Sequence, residues 1–555
     1  MRGVWIIILL MVMAGSAQAQ ESRDTVSTDV GEVKDAEILI TKSKSLSLLP
    51  RERVYIGPDV GIVQKERPTL IFSNTYPSVN LPSYEPKLAK PNIRIPSPIR
   101  PKDNEVKVGF GNYISPLLAV RHNSLLKRGS YGLGFFHESF LNGPVRDQSS
   151  GEAHYRLGAS YNLGLENSRW SNFLSYERRG YYFYGLSSDA FDQGGEDVIT
   201  GRSNWNNVGI TSRYYSKYEK VDFSFEPRVN FVSNGENSGQ RFGNELDLGF
   251  EGFVSYDFDE SNRFNFLAEA RFSNYDNDFG NTSRTLISLS PQYQTNINII
   301  KLSIGGQANL IDDDIRDYSQ FGLLMGLTLP LDKSWNIRAG LGNEVEQNRL
   351  LDLYSHNPYL LDTLDLQTTV IKVPFYAELS GNIVRNLRLS AGARFEDIEN
   401  AAYFLPDASD SSRFYLQYDQ GELTIFEYFG SITWTPDPSL IVAGSLSIFE
   451  NSATSEAEAW YRPTSKFEFS IEKYFDRFSA STKLQGVDGL MAPTISQGAV
   501  ELDPVVNLEF RFGYKIKDSF SLFLDAENLL NQELEYYYNY PSRGITAKAG
   551  ISFQF

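Results

Sequence analysis

From residue 105 to its end this chain alternates apolar and polar side chains with a period of two, segment after segment. In residues 545–555, Ile545, Ala547, Ala549, Ile551, Phe553 and Phe555 form one set, and Thr546, Lys548, Gly550, Ser552 and Gln554 form the other. Successive strand residues point to opposite faces, so this pattern reads as a β-strand with one dry and one wet side. Residues 155–165 repeat it, with Tyr155, Leu157, Ala159, Tyr161, Leu163 and Leu165 against Arg156, Gly158, Ser160, Asn162 and Gly164. Residues 221–231 do the same, setting Val221, Phe223, Phe225, Val229 and Phe231 against Asp222, Ser224, Glu226, Arg228 and Asn230. A dry face requires an apolar medium: a second sheet in a soluble sandwich, or lipid around a barrel.

The connections favour lipid. Tight turns at 166–169, 259–262, 295–298, 331–334, 435–439 and 516–519 alternate with long polar stretches at 186–202, 347–368, 398–421 and 487–503. Transmembrane barrels sort their loops this way, short on one side and long on the other, whereas a sandwich has no reason to. Beyond the N-terminal segment no run of 18 apolar residues occurs, so any crossing must use strands. The reading is an all-β, antiparallel transmembrane β-barrel of about 20–22 strands, an even number being the rule for bacterial barrels. Residues 105–125 read either as one strand or as two around Pro116, and two would bring the count to about 22. Pro227, Pro291 and Pro374 fall inside strand patterns and are read as bulges. The aromatic clusters at 179–185 and 535–541 are expected at strand ends, as interfacial girdles. His137 shares the phase of Tyr131, Leu133 and Phe135, which places it at the membrane boundary.

The N-terminal part has a different character. Arg2, an apolar run over residues 4–14 and Ala17-Gln18-Ala19 make residues 1–19 a secretory signal peptide, with cleavage after Ala19. Between Pro50 and Pro101 lie ten of the 24 prolines. Proline removes ladder donors and favours extended polyproline geometry, so residues 20–103 are expected to form an irregular arm, periplasmic or inserted in the lumen. The barrel then occupies residues 104–555. A net charge of −17 argues against nucleic acid, whose phosphates call for a basic surface. With no cysteine, the chain has neither disulfides nor a lipidated cysteine.

The C-terminal residues carry a further signal. Asn528, Leu529, Leu530 and Asn531, then Tyr540-Pro541, Gly544 and the terminal Phe555, resemble the end of the TonB-dependent receptors of the bacterial outer membrane. Residues 109–116 (GFGNYISP) and 458–463 (EAWYRP) are similar to recurring elements of the Bacteroidota members of that family. The resemblance implies a Gram-negative outer-membrane location and substrate binding or passage. It also implies a barrel-insertion machinery that reads Phe553 and Phe555, with TonB or a surface lipoprotein as candidate partners. The family carries a folded plug between signal and barrel, but the 84 residues from 20 to 103 are too few and show no plug signature. Residues 36–41 (AEILIT) resemble the loosely defined TonB-binding segment, which makes Glu37, Ile38, Leu39, Ile40 and Thr41 candidate TonB contacts.

The polar strand faces collect charge. Asp222, Glu226 and Arg228 lie on one strand, Glu245, Asp247 and Glu251 on the next, and Glu269 and Arg271 on a third. Opposed charges on neighbouring strands suit a lumen wall that is simply solvated, one that holds a plugging segment, or one that forms a selective path. None of the four histidines is spaced with a nucleophile, so no catalytic residue and no enzymatic activity are expected. The acidic stretches 274–281 and 312–317 read as solvated loops, the first lacking the late bidentate Glu of a calcium loop. No metal or cofactor is expected. Two functions stay open: substrate binding or passage across the outer membrane, and a non-transporting barrel scaffold whose arm contacts periplasmic partners.

Overall fold

The computed structural model describes residues 104–145, 149–185, 202–236, 241–277, 280–313, 316–361, 364–495 and 498–555. The signal segment, the proline-rich arm and the TonB-contact candidates Glu37 to Thr41 lie outside the described residues.

Antiparallel strands pair next neighbour to next neighbour until the sheet closes. The first strand, Asn104–Gly111, pairs with Ser115–Leu126 on one side and with the last strand, Thr546–Gln554, on the other. Twenty-three hydrogen-bonded segments make 22 barrel strands, because Trp335–Leu341 and Glu344–Gln347 are two halves of one strand and both pair with Thr368–Val384. Residues 105–125 hold two strands rather than one. Their turn at 112–114 puts Tyr113 and Ile114 in the left-handed region, at φ 58° and 51°. Closure leaves no sheet edge, so every strand finds ladder partners on both sides.

The faces are inverted relative to a soluble protein. Leu133, Leu157, Ile210, Phe231, Phe272, Ile304, Leu446 and Ile551 stand exposed on the outside, while Ser273, Ser288, Gln292, Asn309 and Ser552 are buried inside. The apolar set of residues 545–555 therefore faces outward, as transmembrane barrels require. His137 also stands on the outer face, stacked on Tyr155 with ring centroids 4.4 Å apart.

Two of the three expected bulges are not there. The register shifts at Pro374, between Lys372 and Phe375, but Pro227 opposes Phe250 and Pro291 opposes Phe266 in unbroken register. A missing proline N–H removes one ladder bond; it does not oblige the strand to slip.

The tight turns lie at the same end of the barrel as Asn104 and Phe555, and the long connections lie at the other. These loops have structure of their own: the helix Leu350–His356, the hairpin of Ala402–Pro406 with Phe414–Tyr418, and the hairpin of Met491–Pro493 with Ala499–Glu501. They fold inward onto lumen-facing strand residues such as Trp205 and Tyr275, and build a buried core around Leu350, Tyr354, Phe414, Tyr461 and Tyr537. The girdle expectation fails here. Tyr181, Phe183, Tyr537 and Tyr540 are buried in this cap instead of standing in an outer belt. Their segments are long enough to bend back over the lumen, where aromatic rings bury more surface than at an interface.

Candidate functional site: the lumen and its loop cap

The lumen is walled by the inward phase of every strand. A cavity of about 4010 Å³ runs from Arg385, Asn386 and Asp437 at the turn end to Tyr359, Tyr536 and Tyr540 under the cap. A 22-stranded barrel is too wide for its own side chains to fill, hence the space.

Its wall is polar because charges pair across neighbouring strands. Arg228 donates to Glu251 at 3.2 Å and, with Arg213, to Glu226. Arg271 holds Glu269, two residues back on its own strand, at 2.8 Å, while Asp222 takes Lys217 from the neighbouring strand at 3.3 Å. The pattern continues around the barrel with Arg338 and Glu378 at 2.8 Å, Arg394 and Glu427 at 3.1 Å, and Lys483 and Glu468 at 3.0 Å. Cross-strand pairing offsets part of the charge that these side chains carry into the lumen.

Of the sequence-derived candidates, Asp222, Glu226, Arg228, Glu251, Glu269 and Arg271 line this cavity. Glu245 and Asp247 point inward too, but they are covered and buried. Glu245 receives Arg284 at 2.8 Å, the Ser273 hydroxyl at 2.5 Å and the backbone N–H of Leu350 at 2.6 Å. Arg284 also donates to the Asn348 carbonyl at 2.8 Å, and Arg349 bridges Asp247 at 3.2 Å and Asp352 at 2.7 Å. Five charges therefore pin the start of the helix Leu350–His356 to the barrel wall. Arg284 and Arg349 were not singled out from sequence; the inward phase that Arg284 shares with Leu286 and Ser288 was the available signal.

The roof of the cavity is aromatic. Tyr359 stacks on Tyr540 with centroids 3.5 Å apart, Tyr184 meets both edge-on, and the Tyr184 and Tyr359 hydroxyls lie 3.3 Å apart. Tyr540 donates to the Ser412 carbonyl and Tyr537 to that of His356 at 3.1 Å, tying three loops together. Burial pushes the phenols of Tyr184 and Tyr536 up to about 12, and those of Tyr359 and Tyr540 well above the ordinary value. At neutral pH the roof is uncharged. Below it, Arg543 binds Glu152 and sits 3.7 Å over the Phe140 ring. Among the described residues no group of three metal-ligating side chains gathers.

No protein-family model matches the chain, and no curated protein matches its sequence. Solved structures do match its fold. The FrpB iron transporter from Neisseria meningitidis superposes with a TM-score of 0.65 at 9% identity, covering 81% of each chain. A variant of the ferric enterobactin receptor PfeA from Pseudomonas aeruginosa gives 0.60 at 12% identity, over 81% of this chain and 80% of that one. The siderophore receptor PirA from Acinetobacter baumannii gives 0.61 at 9% identity, with the same coverage. At such identities the likeness is one of fold.

Proposed function

We propose that this protein is an outer-membrane barrel receptor that binds a substrate at its loop face and passes it through the lumen, in the manner of TonB-dependent receptors. One observation carries the reading: an inside-out barrel encloses about 4010 Å³ of polar space and is roofed by its own folded loops. An open pore would leave the roof out, and a soluble container would not turn its apolar face outward. Passage then requires the cap to move, which makes it the gate and its outer loops the ligand-selecting surface.

Export by residues 1–19 and coupling to TonB through Glu37, Ile38, Leu39, Ile40 and Thr41 belong to the same proposal, as does a Bacteroidota-type member without the usual plug. Iron chelates are the first substrate class to test, because the FrpB, PfeA and PirA structures are iron or siderophore proteins by description. Asp222, Glu226, Arg228, Glu251, Glu269 and Arg271 are the wall residues such a path would run along.

Deleting residues 36–41 is expected to abolish ligand-dependent growth while the barrel stays in the outer membrane. Unchanged uptake would rule the coupling out. A second reading, a non-transporting scaffold, is favoured by the density of the cap, whose core buries Leu350, Leu360, Ala401 and Leu423 completely. Under that reading gentle detergent extraction brings down a stoichiometric envelope partner, such as a surface lipoprotein, and loop-locking disulfides leave growth unaffected.

A further inference from the structure

One barrel strand has ladder partners on both sides, but not along its whole length. Arg316–Pro330 pairs with Ile300–Asp313 over residues 316–328, yet on its other side the pairing stops at Met325, opposite Leu341. The second half of that neighbour, Glu344–Gln347, pairs only with Thr368–Val384. Among the described residues, 319–324 therefore present one edge of backbone N–H and C=O groups without a ladder partner, and Phe321 on that edge is 79% exposed on the outer face. An edge of this kind is a template for a further strand, above all beside lipid, where no water satisfies it.

The half-strand that belongs there lies inside the lumen. Ile371 pairs with Ile398 and both enter the cap core, so Val370, next in the strand, is on the outward phase. Val370 nevertheless packs with Leu286 and Ile311, which are paired across two adjacent strands and point inward. Asn343 sits on the inner side of Gly322, where a Cβ would collide with it, and the Thr368 N–H donates to the inward Asp313 carboxylate at 3.0 Å. The outer face of 344–347 and 368–371 thus covers the inner face of the strands beside the open edge, and the wall overlaps itself. The overlap is apolar only in its middle. Both amide atoms of Gln347, the Thr368 hydroxyl and Asn343 Nδ2 are buried in it without a hydrogen-bond partner, as are Asn309 Nδ2 and Gln320 Oε1 on the wall. Polar groups buried unpaired disfavour the arrangement that buries them.

We propose that the edge 319–324 is a second seat for the strand Glu344–Gln347, which swings outward by about one sheet spacing, roughly 10 Å, and completes the wall. The strand fits this seat by connection, register and phase. Only Gly342 and Asn343 separate it from Trp335–Leu341, which is already in place. Continuing the register past Met325 and Leu341 sets Phe321 opposite Val345 and Ser319 opposite Gln347. Val345 then joins Phe321 on the lipid side, Glu344 and Glu346 turn to the lumen, and Gln347 leaves its buried place for the side of the exposed Ser319. Asn348 and Arg349 follow directly, so the swing pulls on the start of the helix Leu350–His356. The bonds of that segment to Glu245, Asp247 and Arg284 hold the strand inside, which makes the anchor of the cap the latch of the wall as well. The switch is a property of the fold and holds whether or not the protein transports anything.

The chain has no cysteine, so pairs of engineered thiols report cleanly. In the full-length protein in outer membranes, Phe321→Cys with Val345→Cys is expected to be joined by a thiol cross-linker spanning about 5 Å, the distance across a strand pair. With the strand inside, these two side chains lie on opposite sides of the wall and do not react. Phe321→Cys with Glu344→Cys, which faces the lumen in both seats, is expected to stay unjoined, while Ile311→Cys with Val370→Cys reports the inner seat. Gln347→Leu, which removes the unpaired amide from the inner seat, is expected to slow the Phe321–Val345 reaction at least threefold. Arg284→Ala, which opens the latch, is expected to speed it at least threefold, each variant still migrating as a folded, heat-modifiable barrel. A Phe321–Val345 pair that stays unjoined, or that joins at a rate neither variant changes, overturns the proposal. A product linking two chains through Phe321→Cys alone also overturns it and gives the edge to a second copy.

Discussion

Asn104 and Phe555 exchange two backbone hydrogen bonds of 3.1 Å each, closing the barrel between residues 451 positions apart, and the Asn104 amide adds a third bond of 3.2 Å to the Phe555 carbonyl. The last residue of the chain is therefore part of the ladder. Its ring stacks on that of Phe553 at 5.2 Å on the outer face and remains 58% exposed. Such a ring contributes little to packing within the barrel, whereas its backbone contributes to closure.

The two roles separate in Phe555→Ala, which keeps the backbone bonds and removes the ring. Stability of the refolded barrel in detergent is expected to fall by no more than about 1 kcal/mol, since the ring is half-exposed in the fold. Insertion in cells is expected to drop several-fold if Phe553 and Phe555 are read by the insertion machinery, measured as the heat-modifiable fraction in outer membranes. Wild-type insertion of Phe555→Ala and of Phe553→Ala alike would remove them from that role.

Arg284 is the buried charge on which the cap's attachment turns. Its side chain is 0% exposed and that of Glu245 is 1% exposed, and the carboxylate also holds the first N–H of the helix Leu350–His356. Arg284→Ala leaves Glu245 charged and unpaired, which is expected to cost about 3–5 kcal/mol. The loss should appear as protease cleavage within residues 348–367 before the strands unfold. Arg284→Met with Glu245→Gln is expected to recover more than half of it, because the stranded charge is then gone. Intact loops in Arg284→Ala would show that the apolar core alone holds the cap.

Barrel strands are legible in the sequence because each is defined locally: residues 221–231 and 545–555 state their own inward and outward faces through the period of two. The cap is not, because nothing periodic links Tyr184, Tyr359 and Tyr540, which meet from three loops. Glu245, Asp247 and Glu251 share one phase on one strand, yet only Glu251 opens to the cavity. What separates them is a helix arriving from 105 positions downstream, and no local pattern encodes that contact. The same limit explains why the aromatic clusters read as girdles: composition gives the rings, but not the direction in which a long loop folds.

Raising the pH should loosen the cap. Burial pushes the phenols of Tyr184 and Tyr536 up to about 12, against an ordinary value near 10. Below about pH 10 both folded and unfolded loops hold these protons, so stability is unaffected. Between about pH 10 and 12 the unfolded loops ionise while the folded cap does not, and the cap's stability is lost as pH rises through that window. The protection factors of amides 350–361, their exchange relative to the base-catalysed intrinsic rate, are expected to fall there while those of the strands hold, and tyrosine absorbance to show a late-ionising group. At neutral pH, Tyr540→Ala should mimic the effect at a cost of about 3–5 kcal/mol. Protection factors that stay constant up to about pH 12 would show that the roof tyrosines do not secure the loops.

Val373 adopts φ 49° immediately before Pro374, at the register shift between Lys372 and Phe375. Ile371 and Phe375 are four positions apart and would share a face in a regular strand. Here Ile371 is buried in the cap core and Phe375 is exposed on the outside, so the extra residue at the bulge reverses the phase between cap and belt. A β-branched residue in the left-handed region costs about 1–2 kcal/mol, which Val373→Gly relieves against a backbone-entropy cost of about 0.5–1 kcal/mol. The variant is expected to gain roughly 0.5–1 kcal/mol in urea unfolding on these terms. Deleting Val373 should act in the opposite direction, because the strand must then turn Ile371 outward or Phe375 into the lumen. A deletion that unfolds no more readily than the parent would show that the phase change is set elsewhere in the strand.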